Sequence, residues 1–477
     1  MHALGHCLPD QKSVLLQIRT EITHNSFASP KLMLWDEGGD CCRWPGLSCN
    51  DAGYITSLDL SGDDSITGGF NVSLLYKLPS LSVIRLDEVD FSAPFPDFFA
   101  DFTNLTVLSL VECNFSGTVP HKVFQVPTLQ TIDLSLNYML GVSLPDFPEN
   151  GSLKSLTLGW TMFSGNLPES IGNLRLLSHI DLTDCYFSGP IPASIIKLSK
   201  LVELSLSENS FSGPIPASLF FLPSLQTLSL DGNTLSGHIT ELRNVTSPLE
   251  SLYLRRNNLE GTIPSFFFRL QSLISLDLSS NKFFGQMIDL QNVTSPLQYL
   301  DLSRNNLEGT IPSFFFRLQS LTLLFLSFNN FFGQLINLQN VTSLHFLDLN
   351  SNILSGKIPR PPPEALYLDF SNNNFSIIPL HIADQIPYLL SFFSMAKNRV
   401  SGKISTSWCR AAYLYLLNIS HNALTGNIPP SLQNLKALEA LDLSFNNLTG
   451  NIPVQLEIRS RRNLCATFAI QQMEIIL

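Results

Sequence analysis

The sequence predicts an α/β solenoid, a superhelix of about 17 repeats of 24 residues with a concave parallel β-sheet. The first observation is the run from Leu201 to Pro216, whose leucines, asparagine and glycine return after a shift of 24 residues. The second is that the position of Leu204 is apolar in every unit from Leu58 to Leu441. Since no unit can bury its own apolar face, the units must stack on one another.

Each part of the repeat has a physical role. The L-x-L segment is a short strand that points two apolar side chains inward. The asparagine that follows, Asn209 in the unit of Leu204, is expected to turn inward, where its amide can satisfy backbone groups of the neighbouring coil. The Gly-x-Ile-Pro segment then turns the chain on the convex side. Together these features are the leucine-rich-repeat pattern.

Length and composition agree with one elongated repeat domain. The 477 residues would suffice for several globular domains, but the repeat joins residues 55–456. A cap over residues 1–54 precedes the array, and a non-repeat tail over residues 457–477 follows it. The chain is 44% hydrophobic and only 14% charged, as expected when every unit contributes to a continuous core. Its net charge of −11 argues against nucleic-acid partners, whose phosphates require a basic face.

The cap is predicted to begin with a helix. Asp10 is a candidate N-cap, and the apolar periodicity ends at Ile22. The apolar side chains on one face of this helix are Val14, Leu15, Ile18 and Ile22.

Four cysteines in the cap predict disulfides. The natural pairing is Cys7 with Cys41 and Cys42 with Cys49, because adjacent cysteines do not readily bridge each other. Four cysteines nevertheless allow three connectivities. Such bonds have a structural purpose, since a solenoid must close its first coil and disulfides stabilise a small cap.

Outside the cap, the sequence predicts no catalytic or metal chemistry. Cys113 and Cys185 hold the asparagine position in units three coils apart, roughly 14 Å, which is too far for a disulfide. Buried free thiols are therefore expected in place of metal ligands. The sequence contains no phosphate loop, H-E-x-x-H, G-x-S-x-G or kinase signature, and its nine histidines are scattered. We predict a binding protein without cofactor or metal, and not an enzyme.

Ten Asn-x-Ser/Thr acceptors accompany the paired cysteines and favour a secreted ectodomain. Asparagine-rich turns produce some such sequences by chance. The predicted glycosylation sites are Asn71, Asn104, Asn114, Asn150, Asn244, Asn292, Asn340, Asn374, Asn418 and Asn447.

Ligand binding is predicted on the concave sheet, at the positions one before and one, three and four after the unit leucine. Exposed Trp, Tyr, Arg and Phe on a rigid face are typical interface anchors, although single exposed aromatics need no explanation. The predicted ligand-binding residues are Trp160, Glu203, Glu208, Tyr253, Arg255, Arg256, Tyr299, Arg304, Phe325 and Phe328. The last seven form a basic and aromatic band.

Part of that band comes from an internal duplication. The segment Leu259–Leu273 recurs letter for letter at Leu307–Leu321, a shift of 48 residues or two whole units. Whole-coil insertion preserves register, because each coil contacts only its neighbours. The triple phenylalanine in each copy is predicted to be core on the convex side.

The cap and the repeat resemble those of a known family. Cys7-Leu-Pro-Asp-Gln-Lys-Ser-Val-Leu-Leu, followed by Trp35 and by Cys-Cys-x-Trp-x-Gly-x-x-Cys at 41–49, is similar to the N-terminal domain of plant extracellular leucine-rich-repeat proteins. The L-x-x-N-x-L-x-G-x-I-P unit resembles the plant-specific repeat class. The whole of residues 7–456 resembles receptor-like proteins of the Verticillium-wilt immune-receptor type.

The resemblance implies a function. Members of this family lack a kinase, and their ectodomains recognise a peptide or protein ligand outside the cell. The implied location is the plasma membrane, the implied role is plant defence, and the implied partner is a membrane-anchored receptor kinase that transmits the signal.

The sequence also departs from the family. No apolar run of about 7–15 residues precedes Cys7, and no stretch approaches the roughly 18 apolar residues of a membrane helix. The family's island segment is missing at a join near Cys409–Tyr415. We therefore expect a truncated chain. Two alternatives stay open: a secreted inhibitor of a microbial cell-wall-degrading enzyme, resembling polygalacturonase inhibitors, and a non-signalling remnant or decoy.

Overall fold

The computed structural model describes residues 6–23, 29–63, 65–66, 69–243, 246–378, 386–454 and 468–469. The chain divides into two compact units, Met1–Ser236 and Gly237–Leu477. Each unit is a stack of coils, and each coil contributes one short strand to a main parallel sheet. The predicted acceptor Asn244 and most of the predicted tail lie outside the described residues.

The cap begins with the predicted helix, which spans Pro9–Thr23. The helix begins at Pro9 because the fixed φ of proline suits the first helical position. Asp10 therefore lies inside the first turn, and the prediction that it precedes the helix as its cap is wrong by two residues, because the residue before the helix is Leu8. The predicted apolar face is otherwise buried, with Val14 half-exposed.

Disulfides and a buried glutamine attach the cap to the first coil. Cys7–Cys41 and Cys42–Cys49 are bonded, with Cα separations of 5.5 and 5.4 Å, which confirms the predicted pairing. Strand Leu47–Cys49 pairs antiparallel with Ile55–Asp59 and covers the edge of the main sheet. The buried Gln11 accepts a hydrogen bond from the backbone N–H of this second strand at 2.7 Å.

In the N-terminal unit, the main-sheet strands pair in parallel and in exact register, so that Ile180 lies beside Leu204. Those strands are Ile55–Asp59, Val83–Arg85, Val107–Ser109, Thr131–Asp133, Ser155–Thr157, His179–Asp181, Glu203–Ser205 and Thr227–Ser229. Short strands of the second row are Ser116–Gly117, Met139–Leu140, Ser164–Asn166, Tyr186–Gly189, Ser210–Gly213 and Thr234–His238. The 3-10 helices are Leu32–Leu34, Cys41–Arg43, Val72–Lys77, Asp97–Asp101, His121–Gln125, Glu169–Asn173, Ala193–Lys197 and Ala217–Phe221.

The C-terminal unit repeats this plan, with Leu300 beside Leu324. Its main-sheet strands are Ser251–Tyr253, Ser275–Asp277, Tyr299–Asp301, Leu323–Phe325, Phe346–Asp348, Tyr367–Asp369, Phe392–Ser394, Leu416–Asn418, Ala440–Asp442 and Phe468–Ala469. Its second row contains Asn258–Gly261, Lys282–Gln286, Asn306–Gly309, Asn330–Gly333, Ile353–Lys357, Asn374–Ile377, Ser401–Lys403, Ala423–Asn427 and Asn447–Thr449. Its 3-10 helices are Ser265–Arg269, Ser313–Arg317, Thr406–Arg410 and Pro430–Asn434.

An inward asparagine ties most coils to their neighbours, as predicted. Asn281 donates through Nδ2 to the carbonyl oxygens of Leu254 at 2.8 Å, Leu278 at 3.2 Å and Ser279 at 3.2 Å. Its Oδ1 accepts from the backbone N–H of Leu259 at 3.0 Å. The same four bonds recur at Asn137, Asn209, Asn233, Asn305, Asn329, Asn352, Asn373, Asn398, Asn422 and Asn446.

Two thiols take the asparagine position, also as predicted. Cys113 and Cys185 are buried and free, and each donates to the carbonyl of the preceding coil, at 3.0 and 3.2 Å. Burial raises the pKa of both thiols, so they are held in the neutral form.

The duplicated phenylalanines are core on the side opposite the main sheet. They lie in the 3-10 helices Ser265–Arg269 and Ser313–Arg317, and all six are buried. Phe268 packs its ring against Phe314, with the ring centres 5.3 Å apart. The duplicated segment therefore contributed phenylalanines that pack in the core against those of the first copy.

The row of inward asparagines, which we call the asparagine ladder, leads to a prediction about stability. We expect Asn281→Ala to lower the free energy of unfolding by about 3 kcal/mol, because it leaves buried backbone groups of two coils without partners. Denaturant unfolding followed by circular dichroism measures the change. The control, Asn306→Ala, removes an exposed asparagine and is expected to change stability by less than about 0.5 kcal/mol. Equal losses in the two variants would contradict the ladder's role.

Candidate ligand-binding surface

The open face of the main sheet carries two side-chain columns, one on each side of the buried unit leucine. Side chains alternate along a strand, so the positions immediately before and after this leucine share the open face. The third position after it is mostly turned inward, and Ser207, Ser279 and Ser327 are buried there. The prediction that this third position faces ligand is therefore wrong in these coils, whereas Arg255 at the same position is exposed.

The fourth position after the unit leucine forms what we call the rim ladder. Its backbone is left-handed, and its N–H donates to the carbonyl of the next coil, as from Trp160 to Thr183 at 2.8 Å and from Arg304 to Ser327 at 2.9 Å. In the N-terminal unit the ladder comprises Glu88, Glu112, Leu136, Trp160, Asp184 and Glu208. In the C-terminal unit it comprises Arg256, Ser280, Arg304, Phe328, Ser351, Asn372, Lys397, His421 and Phe445. These side chains line one edge of the sheet.

The structure brings part of the predicted band into direct contact. The rings of Tyr299 and Phe325 lie 5.8 Å apart on the open face. On the rim ladder, the Arg304 guanidinium lies 4.3 Å from the centre of the Phe328 ring, a cation–π contact. Burial raises the pKa of Tyr299, and the positive charge of nearby Arg255 offsets only part of this effect. These predicted residues therefore form one local group.

The other predicted residues are more dispersed. Tyr253 lies in a strand separated from Tyr299 by the strand Ser275–Asp277, and Arg256 is on the rim ladder beside it. Trp160, Glu203 and Glu208 belong to the N-terminal unit. The ten predicted residues thus do not form a single site.

Buried aspartates underlie the open face of the C-terminal unit. Burial raises the pKa of Asp348 to about 6, and the negative charges of Asp369 and Asp301 add to this effect. Burial also raises the pKa of Asp301 and of Asp369. The Tyr299 hydroxyl donates to Asp277 and Asp301, at 3.5 Å each, and burial beside these carboxylates raises its pKa.

Sequence reasoning missed an aromatic column on the same face. Phe346, Tyr367 and Phe392 each precede the unit leucine position of consecutive strands. Their rings stack with centre separations of 5.8 and 4.2 Å and interplanar angles of 15° and 12°. Tyr415 extends the column, 6.3 Å from Phe392. The signal was present in the sequence, since reading this one position down the array finds all three rings.

The predicted glycosylation sites differ in access. The exposed acceptors among the described residues are Asn71, Asn104, Asn114, Asn150, Asn292, Asn340 and Asn447. Asn374 and Asn418 are half-buried. Asn418 lies on the open face, and its Oδ1 accepts hydrogen bonds from the N–H and hydroxyl of Ser420. We expect glycans at the exposed positions first.

The buried aspartates generate a pH prediction. Because the folded pKa of Asp348 is raised to about 6, its charged form costs stability as pH rises from about 4 to above 6. We expect Asp348→Asn to raise the free energy of unfolding by about 2–3 kcal/mol at pH 7 and to have little effect near pH 4. Denaturant unfolding at both pH values measures this. A gain independent of pH, or equal to that of the exposed control Asp51→Asn, would contradict the assignment.

The rim ladder generates a strain prediction. Trp160 is 47% exposed at a φ of 61°, a left-handed conformation that costs a bulky residue about 1–2 kcal/mol. We expect Trp160→Asn to raise the melting temperature, because asparagine tolerates this conformation. Tyr138→Asn is the control, since Tyr138 is exposed outside the left-handed region. A lower melting temperature for Trp160→Asn would show that the indole contacts outweigh the strain.

Comparisons with known proteins agree with this architecture. The Leucine rich repeat N-terminal domain family matches residues 8–50. The Leucine Rich Repeat family matches residues 200–222, 248–270, 296–318, 413–435 and 437–457. No helix among the described residues is both long enough and apolar enough to cross a bilayer.

Individual relatives are plant receptors. Receptor-like protein 6 of Arabidopsis thaliana is 26% identical over 274 residues, which cover 37% of this chain and 28% of that protein. Receptor-like protein EIX1 of Solanum lycopersicum is 31% identical over 197 residues, which cover 38% of this chain and 19% of that protein. The chain thus spans less than a third of the length of these curated relatives.

A solved structure aligns over nearly the whole chain. The Arabidopsis receptor kinase HAESA, in complex with the peptide hormone IDA and the co-receptor SERK1, superposes with a TM-score of 0.70 at 30% identity. The alignment covers 94% of this chain and 83% of that one. The leucine-rich-repeat fold, its parallel sheet and its disulfide-bonded cap are therefore as predicted. The chain belongs to the plant leucine-rich-repeat receptor-like proteins.

Proposed function

We propose that this chain is the extracellular ligand-recognition ectodomain of a kinase-less plant receptor-like protein that acts in pathogen perception. Its ligand is a peptide or protein bound on the open face of the C-terminal unit. A membrane-anchored receptor kinase then transmits the signal. The solved relative HAESA supports this reading, because it was determined with a peptide hormone and a co-receptor. Receptor-like relatives such as EIX1 support the receptor-like class.

The observation that carries the proposal is the aromatic column. Phe346, Tyr367 and Phe392 form a stacked row on a rigid sheet. The two preceding strands carry Tyr299 in the same column and Phe325 in the column on the other side of the unit leucine, with their two rings in contact. Strands lie about 4.8 Å apart, so this row is roughly 20 Å long, enough for several residues of an extended peptide. Aromatic side chains held rigidly lose little entropy on binding and are common hot spots.

The charged side chains beside the aromatic column determine which ligand groups it can bind. Aspartates of the open face, such as Asp277 and Asp348, are buried or half-buried and accept hydrogen bonds from backbone N–H groups. They therefore contribute polar groups that have little contact with water. Arg304 and Lys397 stand on the rim ladder and can pair with an acidic group of a ligand. The arrangement contains binding groups and is not built around a nucleophile, so we assign recognition and no catalysis.

Ligand capture tests this function. The secreted chain is immobilised and exposed to the apoplastic peptide fraction of infected leaves, and bound peptides are identified by mass spectrometry and synthesised. We expect them to bind at least about tenfold more weakly to Tyr299→Ser/Tyr367→Ser/Phe392→Ser, because truncated hot spots cost about 2 kcal/mol or more. The control is Tyr54→Ser, which removes an exposed tyrosine of the cap region.

Two results would contradict the proposal. One is that synthesised peptides bind the triple variant and the wild-type chain equally. The other is that no peptide from infected tissue binds the wild-type chain above the level of a heat-unfolded sample. A folded triple variant, shown by an unchanged circular dichroism spectrum, is the condition for interpreting either result.

A further inference from the structure

The N-terminal unit exposes an apolar cluster at its rim, which we call the rim patch. Its members are Tyr138, Met139, Trp160, Met162 and Tyr186, with exposed fractions of 61%, 63%, 47%, 44% and 64%. Single exposed apolar side chains are ordinary, but five on three consecutive coils are a contiguous surface. Methionine and aromatic side chains are also the types that adaptable binding surfaces favour.

Backbone hydrogen bonds hold these side chains in one row. Leu136 donates to Gly159 at 2.9 Å and Trp160 donates to Thr183 at 2.8 Å, which sets the three coils in register. Met162 and Tyr186 are attached in the same way, each donating at 2.8 Å to the coil before it. With strands about 4.8 Å apart, the Cα atoms of Tyr138 and Tyr186 are roughly 10 Å apart with Met162 between them.

The patch contains a residue that the fold does not favour. Two coils after Asp184, the rim ladder position is occupied by Gly232, which adopts a φ of 62° without strain. Trp160 adopts nearly the same φ with a bulky side chain that stays half in solvent. The repeat imposes this backbone conformation at every rim-ladder position, but it does not require a large indole there, and the indole remains about half exposed.

Acidic side chains frame the patch on both sides. Glu88, Asp90 and Glu112 lie on the coils before it, and Asp184 and Glu208 lie on the coils at and after it. An open depression of about 400 Å³ joins the first group to the patch. Its lining residues are Glu88, Asp90, Glu112, Asn114, Leu136 and Tyr138.

No basic side chain interrupts this frame. From the third to the sixth position after the unit leucine, the seven coils between residues 87 and 234 carry seven Asp or Glu and no Lys, Arg or His. Arg85 and His179 lie instead on the main-sheet strands. The surface therefore presents apolar anchors inside a uniformly negative border.

We propose that the rim patch is a second binding surface, which takes a basic polypeptide segment carrying an apolar side chain between lysines or arginines. The apolar side chain packs on Trp160 and Tyr186, and the flanking cations pair with the acidic border. Charge complementarity selects this occupant, because nucleic acid and anionic membranes are repelled by the same carboxylates. The surface belongs to the N-terminal unit, so it does not depend on ligand binding at the aromatic column.

Peptide selection tests the proposal. A phage-displayed library of random peptides of about 12 residues, which span roughly 40 Å when extended, is selected on the intact chain. Glycans are first trimmed to one sugar, because the predicted acceptor Asn114 borders the patch. We expect enriched peptides with an aromatic or aliphatic residue flanked by Lys or Arg. Their affinity should fall when NaCl rises from about 0.05 to about 0.5 M.

Variants then locate the binding. We expect Trp160→Asn/Tyr186→Ser to weaken the synthesised peptides about tenfold or more, and Glu88→Gln/Glu112→Gln to weaken them several-fold. The matched control, Tyr76→Ser/Ile196→Ser, removes equally exposed apolar side chains of the same unit and is expected to change nothing.

Three outcomes would overturn the proposal. They are the absence of any enriched peptide, enriched peptides without basic residues, and enriched peptides that bind the patch variant as tightly as the wild-type chain. Each outcome is independent of the open-face test, which uses residues of the C-terminal unit only. Unchanged melting behaviour of the patch variant, or the increase expected from relief of strain at Trp160, excludes unfolding as the cause of lost binding.

Discussion

In most coils, the structure depends on one buried amide. The asparagine side chain closes its own turn through two carbonyls and reaches a carbonyl and an N–H of the preceding coil. The amide supplies these partners inside a tight turn from which the leucines exclude water. Where cysteine replaces asparagine, at Cys113 and Cys185, the thiol still donates to the preceding coil and, over a longer distance, to a carbonyl of its own turn, but it supplies no acceptor equivalent to the amide oxygen.

The turn of each coil also decides which side chains face outward. The residue before the inward position adopts the left-handed region with its side chain outward, including in the coils where the inward residue is Val89, Cys113, Thr161 or Cys185. Repetition places these residues in a row, and the rim ladder results. Its members range from glutamate to tryptophan. Many residue types therefore occur at this position, although the left-handed backbone is strained for most of them. The exposed side chains of the rim ladder are therefore attached to backbone in a conformation that is energetically unfavourable.

The open face has a different physical character. Its aspartates accept hydrogen bonds from the serine two residues on, as Asp277 does from Ser279, and are buried beneath neighbouring rings. Burial raises the pKa of Asp348, Asp301 and Asp369, so these carboxyl groups take up protons at a higher pH than exposed aspartates do. The aromatic column lies on the other side of the unit leucines from these aspartates, so the open face presents stacked rings beside a row of carboxyl groups.

The sequence by itself determined the repeat, the strands and the inward asparagine, because each is local and recurs along the chain. It favoured the observed disulfide pairing among the three possible ones, and the structure decided it. It also identified exposed residues such as Arg304 and Phe328 correctly. Only the tertiary structure decided which of them touch, since the partners lie a full coil apart in sequence. It also showed that the stacked column at Tyr367 and the rim patch at Tyr186 exist, because both arise from lateral neighbours that no single repeat contains.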